Sequence, residues 1–148
     1  MKIIVVSGKK SGVGKTYLAQ HLLKNFSRWS ALKVTVSKKE GCPHGKNCGI
    51  CPEIKKPFYI IKDRKIINQA GKDTARLKES GASEVIWLKA KPQGLREGLH
   101  KALAAFLDCE GVVVEGTSVL KFIQPDINIH VYGNGKYKLC FKTPITVR

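Results

Sequence analysis

The stretch VVSGKKSGVGKT, residues 5 to 16, has the residue types of a loop that binds a phosphate group. Its glycines allow consecutive backbone N–H groups to turn toward an anion, and a helix that begins near Gly14 would add the positive end of its dipole. Lys15 can reach the β and γ phosphates of a nucleotide, and the Thr16 hydroxyl can hold Mg²⁺. The spacing therefore predicts a nucleoside triphosphate site that comprises Gly8, Ser11, Gly12, Val13, Gly14, Lys15 and Thr16.

A second candidate is the carboxylate of Glu115, which ends the strand-like stretch VVVEG. The stretch predicts a buried strand, and ligands bind beyond the carboxyl ends of parallel strands. A carboxylate there can hold Mg²⁺ through water, next to a site whose positive charge comes from Lys15. Lys15 and Glu115 are thus the predicted catalytic residues, and Thr16 and Glu115 the predicted Mg²⁺ ligands. An ordinary acidic residue at a strand end is the alternative interpretation.

A third group of potential ligands lies in the segment GCPHGKNCGIC. Cys42, His44, Cys48 and Cys51 follow the spacing C-x-H-x3-C-x2-C, which supplies the donors of a tetrahedral Zn²⁺ site. The cysteines alone can instead hold an iron–sulfur cluster that a second chain completes. Cysteines without any metal are a further alternative, whereas disulfides are disfavoured in a cytoplasmic protein.

Strand and helix patterns alternate around these candidates. Strands are predicted at residues 2–7, 32–37, 58–62, 84–89 and 112–116, with helices over 72–80, around Leu95–Phe106, and from Gly14 with Leu18, Leu22, Phe26 and Trp29 on its apolar face. The stretches INIHVY and YKLCF, joined by a Gly133-Asn134-Gly135 turn, predict a C-terminal antiparallel hairpin. This alternation predicts an α/β fold with a mainly parallel sheet flanked by helices.

Length and composition limit the class of protein. The 148 residues, 43% of them hydrophobic, predict a single nucleotide-binding domain over residues 1–148, with a cysteine-containing insertion at 41–56. The sequence has neither the pattern of a secretory signal nor an apolar run long enough for a membrane span. We therefore expect a cytoplasmic protein without a membrane partner.

The formal net charge of +16 predicts an anionic partner. Basic residues are densest between Lys33 and Lys65, so a face that binds nucleic acid would lie there. A lysine-rich solvated surface accounts for the same charge without any macromolecular partner.

The spacing of the loop resembles one branch of the P-loop nucleotide-binding proteins. Gly8 lies one position earlier than the first glycine of the common pattern G-x-x-x-x-G-K-[ST]. The resulting G-x5-G-K-T spacing resembles dethiobiotin synthetase and the cobyrinic acid a,c-diamide synthases. Lys10 is similar in position to the signature lysine of MinD-like ATPases, which implies nucleotide binding and leaves a homodimer open; an exposed loop lysine is the alternative. The resemblance implies a P-loop NTPase three-layer sandwich.

Three further segments resemble the molybdopterin-guanine dinucleotide biosynthesis protein B (MobB-like) family. They are VTVSKKE at 34–40, AGKDTARLKESGASEVIWL at 70–88 and CEGVVVEGTSVLKFIQPDINIHV at 109–131. The resemblance implies that Lys38 and Asp73 also bind the nucleotide and that Glu115 binds the metal or its water. It further implies GTP as the nucleotide and molybdenum-cofactor biosynthesis proteins as partners.

These observations together predict an accessory protein of molybdenum or tungsten cofactor assembly that binds GTP, or ATP, with Mg²⁺. Hydrolysis is expected to be slow or partner-dependent, because the sequence identifies no residue that would orient the attacking water. One alternative is an ATP-dependent synthetase of the dethiobiotin or cobyrinate type, which activates a carboxylate as an acyl phosphate. Another is a zinc-bearing nucleic-acid-binding protein, whose binding would weaken with salt.

Overall fold

The structure is a computed structural model that describes residues 1–9, 12–37 and 55–142. In this part of the chain seven strands form one sheet. In chain order they are β1 (Lys2–Gly8), β2 (Trp29–Val36), β3 (Phe58–Ile61), β4 (Val85–Ala90), β5 (Gly111–Glu115), β6 (Ile127–Gly133) and β7 (Lys136–Phe141). Each strand predicted from the sequence is present, with small shifts at the ends.

The described residues also contain four α-helices and two 3₁₀ helices. The α-helices are α1 (Lys15–Asn25), α2 (Arg64–Ile67), α3 (Asp73–Glu79) and α4 (Leu95–Ala104), and the 3₁₀ helices are Pro92–Gly94 and Ser118–Lys121. α2 was not predicted from the sequence; it is a single turn that Asp63 caps by accepting a hydrogen bond from the Lys65 N–H. As predicted, α3 ends before Gly81, whose φ of 108° favours glycine. None of the helices in these ranges is both long and apolar enough to cross a membrane.

The strand order in the sheet is β3-β4-β2-β5-β1-β6-β7. The five inner strands are parallel, and β3 and β7 pair antiparallel at the two edges. The predicted hairpin is formed by β6 and β7, with Gly133, Asn134 and Gly135 of the turn at positive φ. The predicted α/β fold, with a mainly parallel sheet and a C-terminal antiparallel hairpin, is therefore confirmed.

An apolar core lies on each face of the sheet. On one face, α1 and α3 pack over a cluster that contains Val6 and Val113. On the other face, α4 packs over a cluster that contains Val5 and Val114. Neighbouring residues of one strand thus belong to opposite cores, because side chains alternate along a strand. This explains why the inner strands are unbroken apolar runs.

The first helix is shorter than the apolar spacing predicts. α1 ends at Asn25, and Phe26 is already extended, with ψ of 115°. Arg28 then takes φ of 62°, and β2 begins at Trp29 rather than at Leu32. The ring centroids of Phe26 and Trp29 are 5.0 Å apart, and both side chains pack with the core beneath α1. The prediction of Trp29 as a helical residue is therefore wrong, because the strand places its ring in the core that the helix also covers.

Gly111, at the start of β5, leaves no room for a side chain. A Cβ atom at this position would lie 2.5 Å from Cη2 of the buried Trp29 ring. We expect Gly111→Ala to lower the free energy of unfolding by about 1–3 kcal/mol, the usual effect of overpacking a core, as measured by urea denaturation. Trp29→Phe should reduce this loss in the double variant, because the smaller ring leaves space for the methyl group. An equal loss in both backgrounds would rule out the steric cause.

Candidate functional site

The predicted phosphate-binding loop connects β1 to α1. β1 ends at Gly8, and α1 begins at Lys15. Gly12 and Gly14 have φ of 78° and 105°, values that residues with a side chain rarely adopt, so both positions need glycine. Gly14 directly precedes α1, and none of the described side chains caps that end of the helix. The N–H groups of the first helical turn are therefore available to an anion.

The start of the loop is fixed to the segment that follows β5. Thr117 Oγ1 accepts a hydrogen bond from the Gly8 N–H at 2.9 Å and donates one to the Gly8 carbonyl oxygen at 2.6 Å. A Cβ atom at Gly8 would lie 2.8 Å from Cγ2 of Val13. Val13 itself packs against the core beneath α1. The absence of a side chain at Gly8 therefore lets Val13 pack against the core, and this contact fixes the loop to the body of the protein.

Strand register brings Glu115 beside the loop. β5 lies between β1 and β2, and Glu115 is opposite Val6 on one side and Lys33 on the other. Its side chain is only 5% exposed. Glu115 Oε1 accepts a hydrogen bond from the Thr16 hydroxyl at 2.8 Å, whereas Oε2 is buried and has no hydrogen-bond partner among the described residues. A buried carboxylate oxygen without a partner is unfavourable, so this atom is suited to a cation.

Lys33 links Glu115 to Asp73, the first residue of α3. The Lys33 Nζ atom lies 2.7 Å from Asp73 Oδ2 and 3.3 Å from Glu115 Oε1. Arg76, one turn further along α3, places a guanidinium nitrogen 3.7 Å from Asp73 Oδ1. Two carboxylates and two cationic side chains therefore form one connected group beside the loop.

The pKa values of three side chains reflect this crowding. Burial lowers the pKa of Lys15 below its ordinary value; Glu115 opposes this shift and Lys33 adds to it. Burial also acts to lower the pKa of Lys33, but the charge of Glu115 and the hydrogen bond to Asp73 outweigh it, so this pKa is raised. For Asp73, burial acts to raise the pKa, but the hydrogen bond and charge of Lys33 outweigh it, so this pKa is lowered. The Lys33–Asp73 pair is thus ionised at neutral pH.

The loop and this charged group surround a cleft of about 320 Å³. Its lining consists of Gly12, Gly14, Lys15, Thr16, Tyr17, Lys33, Asp73, Arg76 and Glu115. The lining includes three basic and two acidic side chains, so its formal charge is one net positive charge next to the N–H groups of the loop. Such a cleft is suited to a phosphorylated ligand.

The oxygen atoms around Thr16 fit a hard divalent cation. Mg²⁺ prefers oxygen ligands, and the Thr16 hydroxyl with the carboxylates of Glu115 and Asp73 supplies them. The buried Glu115 Oε2, without a hydrogen-bond partner in the described ranges, is the observation that supports this fit. Residues 1–9, 12–37 and 55–142 contain no group of three or more His, Cys, Asp or Glu side chains that could hold a metal ion. The Thr16 hydroxyl and the carboxylates of Asp73 and Glu115 are therefore the candidate ligands for a divalent ion in this cleft.

Several predicted site residues lie outside the part of the chain that the structure describes. They are Lys10 and Ser11 in the loop, Lys38 after β2, and Cys42, His44, Cys48 and Cys51 in the insertion. The zinc site, or its iron–sulfur alternative, accordingly stays a prediction from the sequence.

Comparison with curated proteins gives one relative that bears on this geometry. The ATP-dependent dethiobiotin synthetase BioD of Ruthia magnifica subsp. Calyptogena magnifica is 31% identical over 121 residues, which are 81% of this chain and 54% of that protein. The chain is similar to an ATP-dependent P-loop enzyme. It spans about half the length of this relative. No protein-family model matches the chain, and neither does any solved structure.

The relative agrees with part of what the sequence predicted. Dethiobiotin synthetase belongs to the branch of P-loop proteins that the spacing of Gly8, Gly14 and Lys15 resembles, so the similarity supports that branch. It gives no support to the narrower MobB-like resemblance, to GTP or to a role in molybdenum-cofactor assembly. ATP agrees with the name of the relative, whereas zinc and an iron–sulfur cluster gain no support from it.

The cleft includes two charged residues that the sequence analysis did not assign to it. Lys33 was counted as one end of a basic stretch that reaches Lys65, but its side chain is 20% exposed and bridges two carboxylates. It therefore does not belong to an open basic face. The sequence could have identified Lys33 from its position in a strand that is buried on both faces, because a charged side chain there needs a partner of opposite charge. For Arg76 the signal was its place one turn after Asp73 on the same helix.

Proposed function

We propose that the protein binds ATP together with Mg²⁺ in this cleft and uses it as an enzyme of the dethiobiotin synthetase type. One observation carries the proposal: Lys15 and Thr16 of the loop share a single cleft with the carboxylates of Asp73 and Glu115. A phosphate-binding loop and a magnesium-binding carboxylate are the two parts that every such site needs. The 31% identity to an ATP-dependent synthetase supports ATP as the nucleotide.

Each residue of the cleft has a distinct role in the proposed complex. The loop N–H groups and Lys15 bind the β and γ phosphates, and the half-buried position of Lys15 strengthens its attraction for them. The Thr16 hydroxyl, Glu115 and Asp73 would hold Mg²⁺. When bound, Mg²⁺ neutralises charge that develops on the phosphate oxygens during phosphoryl transfer. Arg76 lines the same cleft and can bind an acidic second substrate or a phosphate oxygen.

The reaction proposed is activation of a carboxylate. A carboxylate oxygen of the substrate attacks the γ phosphorus of ATP, the bond from that phosphorus to the bridging oxygen breaks, and ADP leaves with the electron pair. The product is an acyl phosphate. A second nucleophile then attacks its carbonyl carbon, the bond from that carbon to the phosphate oxygen breaks, and inorganic phosphate leaves with the electron pair. Orientation and charge neutralisation supply most of the rate in such transfers, and the cleft offers groups for both. Without the second substrate, we expect slow hydrolysis of ATP.

A narrower proposal keeps the MobB-like resemblance. In that case the nucleotide is GTP, and the protein assists molybdenum or tungsten cofactor assembly with partner proteins, with a homodimer as one form. What favours it is the segment at residues 70–88, which carries Asp73 and Arg76 into the cleft. The two proposals differ in the nucleotide base: the MobB-like protein would bind guanine, and the synthetase would bind adenine.

The test compares the thermal midpoint of the protein with ATP and with GTP, each with and without Mg²⁺. We expect Mg²⁺-ATP to stabilise the protein most, because a ligand that binds only the folded state raises its stability. Hydroxylamine added with candidate carboxylate substrates should then trap the acyl phosphate as a hydroxamate. A preference for GTP with no hydroxamate would favour the MobB-like proposal. Salt-dependent binding to RNA or DNA, with no effect of either nucleotide, would contradict both.

A further inference from the structure

We infer that Lys33 is a built-in counter-ion that makes divalent-metal binding in this cleft depend on the nucleotide. The inference rests on the proposed function and assigns a positioning role to a residue outside the phosphate-binding loop. Its basis is a shared position: the Lys33 ammonium bridges Asp73 and Glu115, the two carboxylates that would hold the metal.

The backbone keeps Lys33 at that position. β2 is an inner strand between β4 and β5, and Lys33 lies opposite Glu115 on one side and Trp87 on the other. Because β2 is hydrogen-bonded on both sides, Lys33 cannot shift along the strand without breaking the sheet. The strand thus holds the ammonium close to both carboxylates when no other ligand competes.

The Lys33 ammonium and a divalent ion would compete for the same two carboxylates, those of Asp73 and Glu115. Lys33 Nζ lies 3.3 Å from Glu115 Oε1, the same oxygen that accepts the hydrogen bond from Thr16. A divalent ion bound to either oxygen of this carboxylate would repel the ammonium at short range, and it would compete for the Asp73 carboxylate that now pairs with Lys33 at 2.7 Å. Since Lys33 already neutralises part of the charge, the protein alone should bind a divalent ion weakly.

A triphosphate changes this balance. Its oxygens add negative charge to the cleft, and they offer ligands for a divalent ion as well as a new partner for the Lys33 ammonium. Nucleotide and metal should therefore strengthen each other's binding, and Lys33 should determine how strongly. The consequence is that the cleft would take up its metal with the nucleotide rather than before it.

The test measures Mn²⁺ binding to the protein without nucleotide, by the paramagnetic resonance signal of free Mn²⁺. Mn²⁺ takes the same kinds of oxygen ligand as Mg²⁺. We expect weak binding to the wild type, and binding tighter by roughly tenfold or more to Lys33→Met, which removes the charge but keeps a long side chain. With saturating ATP the two proteins should bind Mn²⁺ with similar affinity. Equal affinities in the absence of nucleotide would overturn the inference.

Three variants complete the experiment. Lys24→Met removes the same charge from the exposed end of α1, so it should bind Mn²⁺ like the wild type. Lys33→Arg keeps the charge and should also behave like the wild type. Should Lys33→Met fail to fold, Lys33→Gln replaces it with the same expected result, because its amide can still donate a hydrogen bond to a carboxylate. Failure of the wild type to bind ATP would refute the proposed function instead, since the comparison without nucleotide does not depend on ATP.

Discussion

Mg²⁺-ATP is expected to raise the thermal midpoint of the wild type by about 5–10 °C when its concentration is about a hundred times the dissociation constant. Lys15→Ala is expected to remove most of that rise. The reason is that Lys15 is a half-buried cation of the phosphate-binding loop that lines the cleft, and partial burial strengthens its attraction for the phosphates. The measurement is the midpoint of thermal unfolding at increasing ATP concentrations.

The variant should stay folded without nucleotide. Burial and the charge of Lys33 both act against the charged form of Lys15, so alanine relieves a repulsion as well as removing an attraction to Glu115. Lys24→Ala, at an exposed position on the same helix, is the matched control and should keep the full response to ATP. If ATP stabilises Lys15→Ala as much as it stabilises the wild type, the loop is not the phosphate site.

Glu115→Gln is expected to weaken the contribution of Mg²⁺ to ATP binding by at least about tenfold, since even an outer-shell change costs that much at a metal site. The amide keeps the size of the side chain but loses the negative charge that a hard cation requires. It also leaves Lys33 with Asp73 as its remaining carboxylate partner among the described residues. Calorimetric titration of ATP with Mg²⁺ and with a chelator measures the metal-dependent part directly.

The control for this variant is Glu110→Gln. Glu110 is exposed and directly precedes β5, so the substitution removes the same charge at the other end of the strand. Binding of ATP without metal should be similar in all three proteins, because the loop is unchanged. An undiminished effect of Mg²⁺ in Glu115→Gln would show that this carboxylate does not act on the metal.

Local patterns in the sequence predicted most of the secondary structure. The apolar run of β1 and the turn at residues 133–135 determine their own conformations, because β-branched residues and glycines restrict the backbone directly. Trp29 shows the limit of such patterns. Its spacing from Phe26 suits a helix, but the chain leaves the helix after Asn25, and the ring reaches the same core from a strand. Only packing between distant segments decides between these two outcomes.

Some residues of the candidate site could likewise be predicted from local sequence, and others could not. The order of residues in the loop predicted Lys15 and Thr16, because the chemistry of phosphate binding fixes their spacing. Glu115 followed from its place at a strand end. Lys33 did not follow, because its partners depend on which strands are neighbours, and the order β4-β2-β5 cannot be deduced from residues near Lys33 itself.

The position of β1 in the sheet has a consequence for the order in which the protein folds. β1 precedes the other described strands, yet it pairs with β5 and β6, which come from residues 111–133. During synthesis the phosphate-binding loop therefore emerges before β5 and β6, its two neighbours in the sheet. Pairing between distant segments is slow, because the intervening chain must lose its freedom before any contact forms. The cleft between the loop and Glu115 therefore cannot form before β5 has been synthesised, and we expect nascent chains that lack β5 and β6 not to bind ATP.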